Sequence, residues 1–123
     1  MTTLLDVKGL RSGYGRIPIL AGIDMTMAQG EYLGILGHNG MGKTTLMRTL
    51  MGHLPATAGS VEFQGKPMTQ MKPFERSRRG LGLVPQGREI FPDLSVIDNL
   101  RMGLASAPKE DKTMIDMVLQ DFP

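Results

Sequence analysis

The order of apolar and polar residues divides the chain into alternating elements. Residues 3–8 alternate around Leu5, Asp6, Val7 and Lys8, the period of a strand with one buried face. Gly13, Gly15 and Pro18 then mark a loop around Tyr14. Ile23, Met25 and Met27 alternate with Asp24, Thr26 and Ala28, which predicts a second half-buried strand. A turn at Gln29-Gly30-Glu31 leads into Tyr32 to Leu36, a continuous apolar run of the kind found in buried parallel strands. After a Gly-rich loop, Leu46, Met47, Leu50, Met51 and Leu54 recur at helical spacing. This predicts a helix from about Lys43 to Met51, stopped near Gly52.

The second half reads in shorter pieces. Ser60 to Gln64 predicts a strand, and Pro73 to Arg79 a short helix opened by proline. Leu81 to Val84 is a short apolar run ending at Pro85, again read as a strand. Ser95 is placed to cap a helix containing Val96, Ile97 and Leu100. Met114, Met117, Val118 and Phe122 predict one more amphipathic helix. Antiparallel-type strands, a strand–loop–helix unit and a helical tail together predict an α/β domain: a parallel core with a small antiparallel β-subdomain attached.

Composition narrows the function classes. The chain has 123 residues, 41% of them hydrophobic, enough for one domain's core. A net charge of +2 is too small to argue for a nucleic-acid partner. The absence of cysteine excludes a disulfide partner and a thiolate metal site. No run reaches the ~18 apolar residues of a bilayer span. Asp6 and Lys8 interrupt any signal-peptide core at the start. The cytosol is the expected compartment.

The most specific chemistry lies between the apolar run and its helix. Gly37-His38-Asn39-Gly40-Met41-Gly42-Lys43-Thr44 fits G-x-x-x-x-G-K-[ST] at every fixed position. Glycines let backbone amides approach phosphate oxygens closely, and successive amides form an anion-binding nest. The following helix adds the positive end of its dipole. Lys43 brings a cation to the β- and γ-phosphates, Thr44 offers a hydroxyl to Mg²⁺, and Thr45 is placed for the α-phosphate. Such loops occur in kinases, GTPases, motors and transporter ATPases, so the loop alone predicts a bound triphosphate, ATP with Mg²⁺ first among them, and no particular reaction. His38 sits at a variable position of the loop. Arg76, Arg78 and Arg79 form a basic cluster that is read as a solvated helix face. The eleven methionines mostly fall at apolar-periodic positions and read as core filler.

The surrounding residues choose among these classes by resemblance. Tyr14 through Gly65 resembles the ATP-binding subunits of ABC transporters. So does Leu83-Val84-Pro85-Gln86-Gly87-Arg88-Glu89-Ile90-Phe91-Pro92, followed by Leu94-Ser95-Val96-Ile97-Asp98-Asn99-Leu100. That block looks most like the branched-chain amino-acid importers, with urea-type importers close behind. The resemblance implies a P-loop NTPase core over residues 1–92 and the start of a helical subdomain over residues 93–123. It implies that Tyr14 stacks on adenine, that Gly37 to Thr45 hold the phosphates, and that Gln86 touches Mg²⁺ and the attacking water. It assigns catalytic parts to Lys43 and Gln86, and metal contacts to Thr44 and Gln86. It further implies transmembrane permease subunits and a second ATP-binding subunit as partners, at the inner face of the plasma membrane.

The same resemblance leads one to expect motifs that these residues do not contain: an LSGGQ-type signature, a Walker B aspartate, a catalytic glutamate and a switch histidine. The expectation is therefore the N-terminal portion of such a domain, binding nucleotide without turning it over efficiently. It also implies that the strand before the loop lacks its partner strand. A non-catalytic nucleotide-binding or interaction module is the rival reading. A small-molecule kinase has no identifiable acceptor site in its favour.

Overall fold

The computed structural model describes residues 2–37, 42–85, 87, 90–104 and 113–123. They fall into two compact units, Met1–Leu83 and Val84–Pro123.

The first unit is built on a hairpin of two long strands, β1 (Thr3–Tyr14) and β2 (Ile17–Ala28). They pair antiparallel from Thr3↔Ala28 to Tyr14↔Ile17, leaving Gly15 and Arg16 as a two-residue loop. Gly15 supplies the positive φ, 59°, that such tight loops need. The loop predicted around Tyr14 is therefore smaller than its glycines suggested, and Tyr14 itself ends a strand. Pro18 is tolerated inside β2 because β2 is the sheet's edge, where a missing N–H leaves no partner unpaired.

Next come the helix α1 (Lys43–Met51), strands β3 (Ala58–Phe63) and β4 (Lys66–Pro67), and the helix α2 (Pro73–Arg78). The sheet order is β2-β1-β3-β4, with every pairing antiparallel. A second tight turn joins β3 to β4 through Gln64 and Gly65, at φ 53° and 77°. Positive φ at both central positions is the type I′ pattern that matches strand twist.

β1 carries the core, and its alternation breaks once. Leu5 and Val7 are buried, then Leu10 and Ser12. The change of phase falls at a bulge between Val7 and Leu10, where Gly9 has φ 57°. The Gly9 amide, pulled out of the ladder, donates to Asp24 Oδ1 at 2.6 Å. A bulge of this kind re-aims the residues beyond it. Here it returns Leu10 to the core face. Leu5, Val7 and Leu10 pack with Leu20, Val61, Phe63 and Met68, and α1 lays Leu46 and Leu50 onto the same cluster. Leu46 and Leu50 are four apart, one turn of a single helix face.

Two predicted strands are absent. Residues 32–36 and 81–84 run without a ladder. Tyr32 is 100% and Leu36 97% exposed. An apolar run sets which face a strand would bury, but the strand exists only when a neighbour takes its backbone hydrogen bonds. Among the described residues, none pairs with either run.

The basic cluster also divides differently from its reading as a solvated face. Arg76 is buried, at 4% exposure. Its Nε donates to Met71 O at 3.0 Å, Nη1 to Thr49 O and Leu50 O at 2.9 and 2.8 Å, and Nη2 to Thr69 O at 3.0 Å. Burial lowers its pKa from the ordinary arginine value. Arg78 lies on the exposed side, its guanidinium 5.5 Å from the centre of the Phe74 ring.

The second unit contains α3 (Val96–Met102) and α4 (Met114–Asp121). Ser95 caps α3 as predicted, its Oγ accepting from the Asp98 amide at 3.1 Å. Asn99 fastens the preceding loop. Its Oδ1 accepts from the Phe91 amide, and its Nδ2 donates to the carbonyls of Phe91, Leu94 and Ser95.

At Gly59 the sheet leaves no room for a side chain: an added Cβ would lie 2.3 Å from the Gly9 carbonyl oxygen, and φ is 86°. Gly59→Ala is expected to cost roughly 2–4 kcal/mol in urea unfolding. Gly65→Ala meets open space at φ 77° and is expected to cost only about 1–2 kcal/mol, the left-handed penalty alone.

Candidate functional site: the start of the loop helix

The helix α1 begins in an unusual electrostatic state. Its N-cap is Gly42, at φ 90°, with no side-chain cap and no acidic residue in the first turn. The first amides of a helix have no partners within it. Most helices fill them with a Ser, Thr, Asp or Asn side chain. Among the described residues no side chain caps this one, and its start offers the positive end of the dipole to an anion.

Lys43 stands at the first helical position, and its Nζ donates to the Gly37 carbonyl. That contact draws together the two ends of the Gly-rich loop. Gly37, Gly42, Lys43, Thr44 and Thr45 are thus gathered at one place. Thr44 is exposed at the helix start, while Thr45 is 6% exposed, set against the interior. His38, Asn39, Gly40 and Met41 lie outside the described residues, as does Gln86.

The helix start is seated on β2. A Cβ at Gly42 would lie 3.1 Å from Ile19 Cγ2 and 3.2 Å from Leu20 Cδ2. Leu20 also lines a cavity of about 250 Å³ under the hairpin tip, with Ser12, Gly13, Arg16, Pro18 and Thr57 among its other walls. Tyr14 lies between two of the lining glycines and is 44% exposed. Sequence reasoning missed Ile19, Leu20 and Arg16. The apolar pair at 19–20 is the available signal, hidden because the clear alternation of apolar and polar residues begins only at Ile23.

The donor chemistry fits a nucleotide that brings its own metal. Among the described residues no group of three or more His, Cys, Asp or Glu side chains gathers to hold an ion. A divalent ion here would depend on phosphate oxygens and water, with the Thr44 hydroxyl as a protein ligand. Few protein ligands and retained waters are the habit of Mg²⁺.

An uncapped helix start behind G-x-x-x-x-G-K-T has the donor chemistry of an anion site, and comparison with known proteins fixes the family. The family model described as ABC transporter matches residues 20–123. The chain belongs to the ATP-binding domain family of ABC transporters. It is 35% identical over 121 residues to the high-affinity branched-chain amino acid transport ATP-binding protein BraG of Pseudomonas aeruginosa, covering 98% of this chain and 52% of that one. It is 33% identical over 120 residues to the autoinducer 2 import ATP-binding protein LsrA of Enterobacter sp. (strain 638), covering 98% of this chain and 24% of that one. The chain therefore spans about half the length of one relative and about a quarter of the other.

Among solved structures it resembles the ADP conformation of an ATP-binding cassette of an ABC transporter, with TM-score 0.65 and 26% identity over 83% of this chain and 46% of that one. The fold class expected from the sequence, an α/β P-loop NTPase cassette with an antiparallel β-subdomain, is the one this likeness shows. In the described residues of this chain, the ordered sheet is the antiparallel one.

The seat of the helix start on β2 can be tested by substitution. Gly42→Ala adds both left-handed strain and a contact on Ile19, and is expected to destabilise the fold by roughly 1–3 kcal/mol in thermal unfolding. In an Ile19→Ala background the Ile19 part of that contact disappears, while the one to Leu20 stays. A double-mutant cycle should then return a coupling of at least about 0.5 kcal/mol.

Proposed function

We propose that this chain binds ATP with Mg²⁺ at the start of α1 as part of an ABC importer's ATP-binding subunit. The observation that carries the reading is the uncapped N-terminus of α1, with Lys43 at its first position. Successive backbone amides and the helix dipole would hold the phosphates. Lys43 would leave the Gly37 carbonyl for the β- and γ-phosphates, Thr44 would face Mg²⁺, and His38 to Met41 would complete the loop. Thr45, buried behind the first turn, would reach an α-phosphate oxygen only from the inner side. Tyr14 would offer its ring to adenine, a contact of the kind worth about 1–3 kcal/mol per stacked base. Gln86 would contribute to the metal and the attacking water.

At the next level we assign the importer class that carries branched-chain amino acids or a related small polar solute. The match to a branched-chain transport protein over nearly the whole chain supports this. The match to an autoinducer import protein sets the limit of that support. Every residue of the proposed site reads phosphate, metal or purine, and none of these groups belongs to a transported solute. The partners would be transmembrane permease subunits and a second ATP-binding subunit, placing the protein at the inner face of the plasma membrane. No helix among the described residues is long and apolar enough to cross the membrane itself.

A titration with ATP in the presence and absence of Mg²⁺ tests the reading. Lys43→Ala is expected to weaken binding at least about tenfold, a loss of one charge-assisted contact. Tyr14→Ala is expected to weaken ATP binding about tenfold or more while leaving pyrophosphate binding unchanged. Equal affinities for wild type and Lys43→Ala would remove the assignment.

A further inference from the structure

The phosphate-side end of α1 is held by β2, but a helix has two ends. The far end of this one terminates on an unusual residue. Its last carbonyls include those of Thr49 and Leu50, and both accept from a single nitrogen, Arg76 Nη1, at 2.9 and 2.8 Å. The same guanidinium reaches Met71 O and Thr69 O. One side chain therefore ties the C-terminus of α1 to the chain segment after β4. Arg76 has no carboxylate partner among the described residues: the ion pairs there are Lys8–Asp6 and Arg101–Asp98.

A buried cation without an anion is costly unless something replaces the missing charge. The C-terminal end of α1 supplies it, since the last carbonyls of a helix carry partial negative charge. Gly52 makes the approach possible. It is the C-cap of α1 at φ 84°, and an added Cβ would sit 2.9 Å from Arg76 Nε. No side chain other than hydrogen fits between the helix end and the guanidinium.

We propose that Arg76 is a positioning residue for phosphate binding, setting the place of the loop-helix N-terminus by gripping its C-terminus. The inference rests on the ATP-site reading above and adds a residue to it. Two physical effects combine. α1 has nine residues, about 13 Å at the standard rise, so a tilt of roughly 5° at one end moves the other by about 1 Å. A displacement of that size is enough to spoil a preorganised anion site. The Arg76 charge also offsets the negative end of the dipole, leaving the positive end facing the phosphate loop.

The test uses the full chain with Arg76→Lys, Arg76→Met and, as a control on the exposed side of α2, Arg78→Ala. Melting temperatures, Mg²⁺–ATP affinities below the melting range, and amide chemical shifts of residues 43–46 without nucleotide are measured for each. Positioning predicts that Arg76→Lys keeps the fold, shifts the 43–46 amides and weakens ATP binding about fivefold or more. Arg76→Met should weaken binding further, and Arg78→Ala should stay within about twofold of wild type. Lowered melting temperature with unchanged 43–46 shifts and unchanged affinity would overturn the proposal, leaving Arg76 a stabilising residue only. Loss of folding in both Arg76 variants would overturn it equally. If wild type itself fails to bind Mg²⁺–ATP, the nucleotide reading falls, and the 43–46 shifts in Arg76→Lys still decide whether the grip sets the helix start.

Discussion

A helix of nine residues cannot hold a phosphate site by its own stability. Helices of that length are marginal in water, because nucleation costs more than a few hydrogen bonds return. The helix α1 exists because Leu46 and Leu50 bury in the core cluster with side chains of β1, β2 and β3, and because both of its ends are seated. Everything the site offers depends on that seating. Unfilled amides are useful to an anion only if they stay where they are; on a drifting helix they would simply be hydrated.

The sheet is arranged to give the seat. β1 lies inside the sheet, flanked by β2 and β3, and its bulge at Gly9 returns Leu10 to the core after the phase break. The core therefore runs along β1 without interruption, from Leu5 to Leu10. β2, at the edge, has one side free of pairing, and it is the strand that carries Ile19 and Leu20 up to Gly42. The fold thus spends its best-buried strand on stability and its edge strand on the site.

Much of this was legible in the sequence, for local reasons. The helix α1, its stop at Gly52, the proline-opened α2 and the Ser95 cap all follow from rules acting within a few residues. The loop is legible for the same reason, since its glycines, lysine and threonine are contiguous. The runs at 32–36 and 81–84 show where local reading stops. Their side chains specify a buried strand, but a strand is a relation between two segments, and the second segment cannot be read from the first. Tyr14 looks like a loop residue because the glycines on either side of it are turn-formers. In fact the hairpin compresses the turn to Gly15 and Arg16.

Arg76 was illegible for a different reason. Three arginines within four positions look like one charged face, and charge clusters are usually solvated. On a helix, however, residues two apart point nearly to opposite sides, at about 100° per residue. Arg78 and Phe74, four apart, share the outer side, and that geometry sends Arg76 inward. What receives it is not a carboxylate, whose spacing might have been noticed, but four backbone carbonyls, which every residue carries. The one side-chain cue was Gly52, and its role as a helix stop already explained it. A glycine can satisfy two constraints at once, the left-handed turn and the space for a guanidinium. Sequence shows the first and hides the second.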